Sequence, residues 1–158
     1  MQSLVIIRGL PGSGKTTLAQ RYVEHGFAWT ETDLHMLNEH GRYAYNLEAL
    51  SRAIVRVEAD VTQWLAEGRN VVVSGVYTRL SALSGLLHAA RHAGVVRVHV
   101  LEPDTPWAWD IEELKRRTVH GVPHEKIQKM LDGWEPLKTG GHATGKLIRL
   151  ASRKHRRS

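Results

Sequence analysis

Cysteine is missing from this chain, which excludes a disulfide framework and thiolate metal sites and leaves no protein thiol for redox chemistry. That fits a reducing compartment, and a cytoplasmic location is the expectation. No run of about 18 apolar residues occurs, so no transmembrane helix is expected. The apolar stretch near the N-terminus has no basic residues ahead of it and no small-residue cleavage site behind it, so it does not read as a signal peptide. Acidic residues are absent after Glu135, whereas Lys138, Lys146, Arg149, Arg153, Lys154, Arg156 and Arg157 supply seven of the 22 basic residues in that stretch. The net charge of +6 is therefore a property of the C-terminal end. Such an arm is an electrostatic footprint for phosphate polymers, or else a solubilising end. Internal repeats, low-complexity linkers and a second domain are also lacking. The 158 residues read as one domain over 1–150, followed by a basic tail over 151–158.

What is present is an alternation of apolar β-rich runs and helical periodicity. Residues 3–8 form a strand that enters a glycine-rich turn, and Leu18, Ala19, Tyr22 and Val23 then recur at helical spacing. A second strand is expected at 27–31, with Asp33 near its carboxyl end. From Asn46 to Glu67 the apolar residues keep an amphipathic three-and-four spacing that Gly68 stops. Strands at 70–75 and 95–101 flank a helix from Arg79 to about Gly94. Two more helices are expected at 107–118 and 123–134, around His120-Gly121-Val122-Pro123, and a last strand at 146–152. Strands alternating with helices of this length need crossover connections, which predicts an α/β fold with a parallel sheet covered on both faces. Ligands of such sheets bind at the carboxyl ends of the strands.

The chemistry concentrates there. Gly9-Leu10-Pro11-Gly12-Ser13-Gly14-Lys15-Thr16 matches G-x-x-x-x-G-K-[ST] after a predicted strand and before a predicted helix, the context of a P-loop. Its glycines turn successive backbone N–H groups toward one anion, the helix N-terminus adds its dipole, and Lys15 reaches the terminal phosphates. Gly9, Gly12, Ser13, Gly14, Lys15, Thr16 and Thr17 are thus the expected nucleotide-binding residues. ATP is the expected nucleotide, and Thr16 offers its hydroxyl to Mg²⁺. Asp33 reads either as a base that deprotonates an incoming hydroxyl or as a helix N-cap. The segment 113–124, with Lys115, Arg116, Arg117 and His120 ahead of a Gly and a Pro, reads as a basic lid over the phosphates or as a solvated helix face. Trp107 and Trp109 read as base-stacking or as core residues. The histidine spacings His120/His124 and His88/His92 do not justify a zinc assignment.

The P-loop, Asp33 after the second strand, the long helix, and R-R-x-x-H-G-V-P-x-x-x-I-x-x-M followed by Trp134-Glu135 together resemble the small polynucleotide-kinase-like P-loop enzymes. That group includes phage 5′-hydroxyl polynucleotide kinase, Nedd-binding kinase-like proteins and kinases of 5-hydroxymethyluracil in phage DNA. The resemblance spans about residues 4–135. It implies a P-loop NTPase fold with a small helical lid at about 107–134, Asp33 as general base, and Lys15, Arg116, Arg117 and His120 as the cations of transfer. Three departures stand out: His120 rather than an arginine precedes the lid glycine, Leu34 replaces a second aspartate after Asp33, and the third strand ends in Ser74-Gly75 rather than in an aspartate. Metal coordination would then rest on Thr16 and Asp33. The resemblance implies an ATP-dependent kinase acting on nucleic acid, DNA first. The stretch Ser74 to Arg79 is similar to that of the thymidine-hypermodification kinases, which puts the hydroxymethyl group of 5-hydroxymethyluracil first and a 5′-hydroxyl end second. A small-molecule or nucleotide-sugar kinase and a nucleotide-dependent binding switch are the remaining alternatives.

Overall fold

In a computed structural model, residues 2–36, 40–42, 46–95 and 97–137 are described, together with the backbone of 145–149. The expected tail over 151–158 lies outside the described residues. Strand β1 (Ser3–Arg8) leads into helix α1 (Lys15–Glu24), and β2 (Ala28–Glu31) into a 3-10 turn at Thr32–His35. Helix α2 (Leu47–Ala66) begins at Asn46, whose side chain accepts from the Ala49 N–H as an N-cap. Then follow β3 (Val71–Gly75), a 3-10 turn at Leu80–Leu83 continuing into α3 (Ser84–His92), β4 (Arg97–Leu101), α4 (Ile111–Arg117), α5 (His124–Asp132) and β5 (Gly145–Arg149).

The sheet order is β2-β3-β1-β4-β5. Its first four strands are parallel, with Leu4 opposite Val71 and Val98 across the central strand. The expectation of a wholly parallel sheet is corrected at one edge, because β5 runs antiparallel to β4, with Arg97 opposite Arg149 and Leu101 opposite Gly145. Strand direction follows from the connection: β5 comes after the α4–α5 excursion at the carboxyl end of β4, and returning from that end reverses it. The helix expected at 107–118 starts only at Ile111. Asp110 accepts from the Glu112 and Glu113 N–H groups and fixes the start there.

Side chains of the central strands alternate between two apolar cores. Leu4, Ile6, Val71, Val73, Val98 and Val100 pack under α2 and α3, while Val5, Ile7 and Val72 pack under α1. Burial on both faces is why these strands read as unbroken apolar runs in the sequence. A third cluster sits at the strand ends, where Leu10 of the glycine-rich turn packs against Leu114 of α4 and Ile127 of α5. The α4–α5 pair is thereby a cap seated on that turn.

The cap is also tied down at its far end. Arg8, at the end of β1, is fully buried. Its guanidinium donates to the Tyr77 carbonyl at 3.0 and 2.8 Å, to the Thr78 carbonyl at 3.0 Å, to the Glu135 carbonyl at 2.7 Å and to Glu102 Oε1 at 3.1 Å. It also lies 4.0 Å from the centre of the Trp134 ring. One charged group thus joins the ends of β1, β3 and β4 to the segment leaving α5. Removing the charge would leave the Glu102 carboxylate and three carbonyls, all partly buried, without this donor. Arg8→Met is expected to lower unfolding free energy in urea by roughly 3 kcal/mol. Arg52→Ala, which breaks the exposed Arg52–Glu48 pair on α2, is expected to change it hardly at all. Equal, small effects would show that the Arg8 cluster does not hold the cap.

Candidate nucleotide and phosphoryl-transfer site

The glycine-rich turn is shaped by close approach. Gly12 has φ +80° and Gly14 φ +102°, both in the left-handed region. A Cβ on Gly12 would meet the Leu114 carbonyl oxygen at 2.7 Å, so the loop and the end of α4 fit only without a side chain there. The Gly9 N–H donates to the Gly75 carbonyl at 3.2 Å, which continues the β1–β3 ladder into the loop. From β4's far end, Thr105 Oγ1 donates to the Ser13 carbonyl at 2.8 Å and Trp107 Nε1 to the Gly12 carbonyl at 3.1 Å. These two carbonyls are thereby engaged by donors from the segment after β4, while the Ser13 N–H donates to the Leu10 carbonyl at 3.1 Å. Ser13 Oγ is buried with no partner among the described residues, an unmet polar atom inside the cradle. Thr16 and Thr17, in the first turn of α1, are exposed.

Lys15 Nζ donates to the Gly9 and Leu10 carbonyls at 2.9 and 3.0 Å. Desolvation of this ammonium lowers its pKa to about 8, against the opposing pull of the Asp33 and Glu31 carboxylates. Both acids therefore act on the lysine electrostatically. Asp33 falls within the 3-10 turn after β2, whose N-cap position is held by Glu31, and among the described residues its side chain caps no helix. The side chain is 40% exposed, open enough to meet a second substrate. The turn that carries it is braced by His35, whose Nε2 lies 3.1 Å from Thr30 Oγ1 and 3.4 Å from Asp60 Oδ2 of α2.

From the cap, His120 Nε2 stands 3.9 Å from Asp33 Oδ2. Arg116 and Arg117 both pair with Glu113, at 2.9 and 3.2 Å. Arg117 also lies 3.6 Å over the centre of the Trp107 ring, the same indole that holds the Gly12 carbonyl. Arg117 thus borders the loop, whereas Arg116 is the more exposed of the two. Trp107 acts as a brace between cap and loop. Trp109, half exposed, stacks edge-on against Trp134 with ring centres 5.1 Å apart.

Glu31 carried no signal in sequence, and Ser74 drew notice only for standing where an aspartate is expected. Glu31 closes β2 directly opposite Ser74 at the end of β3, and Ser74 Oγ donates to Glu31 Oε2 at 2.7 Å while accepting from Trp29 Nε1 at 3.0 Å. Burial pushes the Glu31 carboxyl up; the Ser74 hydrogen bond pulls it down, and the like charge of Asp33 adds to the rise. Only knowledge of the β2–β3 register would have paired these residues.

Fold and loop together define a P-loop nucleotide-binding domain of the type found in small kinases. The chain belongs to the AAA_33 family, described as an AAA domain, whose family model matches residues 4–137. Human NEDD4-binding protein 2 is 31% identical over 145 residues, which are 84% of this chain and 8% of that protein. Mouse 2′,3′-cyclic-nucleotide 3′-phosphodiesterase is 28% identical over 153 residues, 92% of this chain and 35% of that protein. The chain thus matches only a minor part of the length of these curated relatives. Among solved structures, a chain of the Pnkp1/Rnl/Hen1 RNA repair complex superposes with a TM-score of 0.67 at 24% identity, covering 84% of this chain and 43% of that one. A gluconokinase from Sinorhizobium meliloti 1021 gives 0.61 at 20% identity, covering 90% and 79%. Among the described residues no helix is long and apolar enough to cross a membrane.

The depressed Lys15 pKa has two opposite consequences with pH. Between about 8 and the ordinary value of 10.5 the unfolded chain binds more protons than the native one, so native stability should rise with pH across that window. Lys15→Met should abolish the rise. Nucleotide affinity should instead fall as pH passes about 8, because the phosphates need the protonated ammonium. Stability and ATP-binding titrations from pH 7 to 10 check both. ATP affinity that stays flat across this range would remove Lys15 from the phosphate site.

Proposed function

We propose that this chain is a kinase that moves the γ-phosphoryl of ATP to a hydroxyl group on nucleic acid. The observation that carries the reading is the P-loop cation Lys15 together with a half-exposed carboxylate, Asp33, which follows β2 and acts on that cation electrostatically. The loop N–H groups and the N-terminus of α1 hold the β- and γ-phosphates, and Lys15 spans them. Asp33 receives the proton of the acceptor hydroxyl as its oxygen bonds to the γ-phosphorus; the bond from that phosphorus to the β,γ-bridging oxygen breaks, and ADP leaves. Arg117, Arg116 and His120 approach from the cap, in keeping with a lid whose cations neutralise charge on the transferring group. Thr16, exposed at the start of α1, is placed to hold Mg²⁺, which when bound neutralises phosphate charge.

Of the two nucleic-acid acceptors, the modified base drew its support from the stretch Ser74 to Arg79. In the fold that stretch has structural work. Ser74 is fully buried against Glu31, and the Thr78 carbonyl accepts from Arg8. A 5′-hydroxyl end is therefore the acceptor placed first, and the hydroxymethyl group of 5-hydroxymethyluracil in DNA second. The similarity to a chain of an RNA repair complex supports that order. The basic residues after Glu135 favour a polymer over a small molecule, since each phosphate they neutralise releases a counterion. A sugar acceptor remains the contrasting reading because the gluconokinase shares the fold.

The test is transfer from γ-labelled ATP to parallel acceptors: 5′-hydroxyl DNA and RNA oligonucleotides, hydroxymethyluracil DNA, free nucleosides and gluconate. Label on the 5′-hydroxyl oligonucleotides is expected, with Asp33→Asn lowering kcat by about 10² or more while ATP affinity is kept. Label on gluconate alone would replace this reading with a sugar kinase.

A further inference from the structure

The third strand of this site ends without a carboxylate, and the structure shows one supplied from the strand beside it. In P-loop enzymes the metal that accompanies the nucleotide is held by the loop Ser or Thr and by an aspartate at a strand end. Mg²⁺ binds through one or two carboxylates while keeping several waters. At that place β3 offers Ser74 and Gly75, a hydroxyl buried at 0% exposure and a residue with no side chain.

Glu31 stands in register with Ser74. Its carboxylate is aimed rather than free, because Ser74 Oγ holds Oε2 at 2.7 Å and Trp29 Nε1 in turn holds Ser74 Oγ at 3.0 Å. This indole–hydroxyl–carboxylate chain resembles the outer-shell hydrogen bonding that orients metal-binding carboxylates. Among the described residues no donor engages Oε1. The carboxylate also acts electrostatically on the Lys15 ammonium. The Glu31 carboxylate and the Thr16 hydroxyl at the start of α1 are both oxygen donors, the chemistry that suits a hard divalent cation.

We propose that Glu31, oriented by Ser74 and Trp29, is the carboxylate that faces the divalent cation bound with the nucleotide, and that it substitutes across strands for the acid β3 lacks. Asp33 is thereby released for the acceptor hydroxyl. The difference in setting matches this division: Glu31 is fixed by a hydrogen bond within the sheet, whereas Asp33 is 40% exposed on a turn toward the cap. Ser74 and Trp29 are positioning residues in this scheme.

The inference rests on the nucleotide-binding reading above, and the experiment separates the two. Mn²⁺ serves as the probe, with free Mn²⁺ counted by electron paramagnetic resonance in the presence of the full chain and a non-hydrolysable ATP analogue. Binding of the same analogue is measured separately in EDTA. Glu31→Gln, which keeps the oxygen that Ser74 engages, should weaken Mn²⁺ by about tenfold or more and leave analogue binding in EDTA within about twofold. Ser74→Ala should weaken Mn²⁺ in the same direction with the carboxylate still present, and Asp33→Asn should leave Mn²⁺ binding near wild type. Unchanged Mn²⁺ affinity in Glu31→Gln overturns the proposal. So does an equal loss of analogue binding in EDTA, which would make Glu31 a support for the loop, or a loss confined to Asp33→Asn. If the wild-type chain fails to bind the analogue even in EDTA, the nucleotide-binding reading itself fails, and this proposal with it.

Discussion

A buried ammonium held by two backbone carbonyls, with two acids acting on it electrostatically, is the constraint around which this site is organised. Lys15 reaches that position only because β1 runs parallel to β3 up to the Gly9–Gly75 hydrogen bond and then turns sharply through Gly12 and Gly14. The same turn sets Leu10 into the apolar cluster of the cap and brings the Gly12 backbone against the end of α4. Phosphate binding and cap position are therefore coupled mechanically. A side chain at Gly12 would have to displace either the loop or α4, and with α4 the cations Arg116 and Arg117.

Two anchors keep this arrangement from relaxing. Arg8 gathers the ends of three strands and the segment leaving the cap into one hydrogen-bonded knot. Burying a guanidinium is costly, and its cost is offset only because nearly every N–H direction meets an oxygen. Trp107 forms the second anchor, with Gly12 on its indole N–H and Arg117 on its face. From the cap so anchored, His120 comes within 3.9 Å of the Asp33 carboxylate.

The sequence was most legible where local chemistry dictates local shape. The boundaries of β1 agree with the apolar run over 3–8, and α2 with the amphipathic spacing from Asn46 to Glu67. What stayed hidden depends on register and on returns of the chain. The run 146–152 is as apolar as a parallel strand, so nothing in it reported that β5 enters from the opposite end of the sheet. Glu31 reads as an ordinary polar strand residue until β2 is set beside β3. Arg8 reads as the last, solvated residue of a strand, yet it is fully buried because its partners lie roughly 70 to 127 positions away in sequence. Trp107 likewise gave no hint that its indole would hold the P-loop.

In the proposed reaction Asp33 meets the hydroxyl of a nucleic-acid end within reach of the γ-phosphate. A crystal structure of the chain with a non-hydrolysable ATP analogue and a short 5′-hydroxyl oligonucleotide tests this directly. The account predicts the terminal oxygen at hydrogen-bond distance from an Asp33 carboxylate oxygen, about 2.6 to 3.2 Å, and in line with the γ-phosphorus. An oligonucleotide whose 5′ end lies away from Asp33 while the nucleotide fills the P-loop would contradict it.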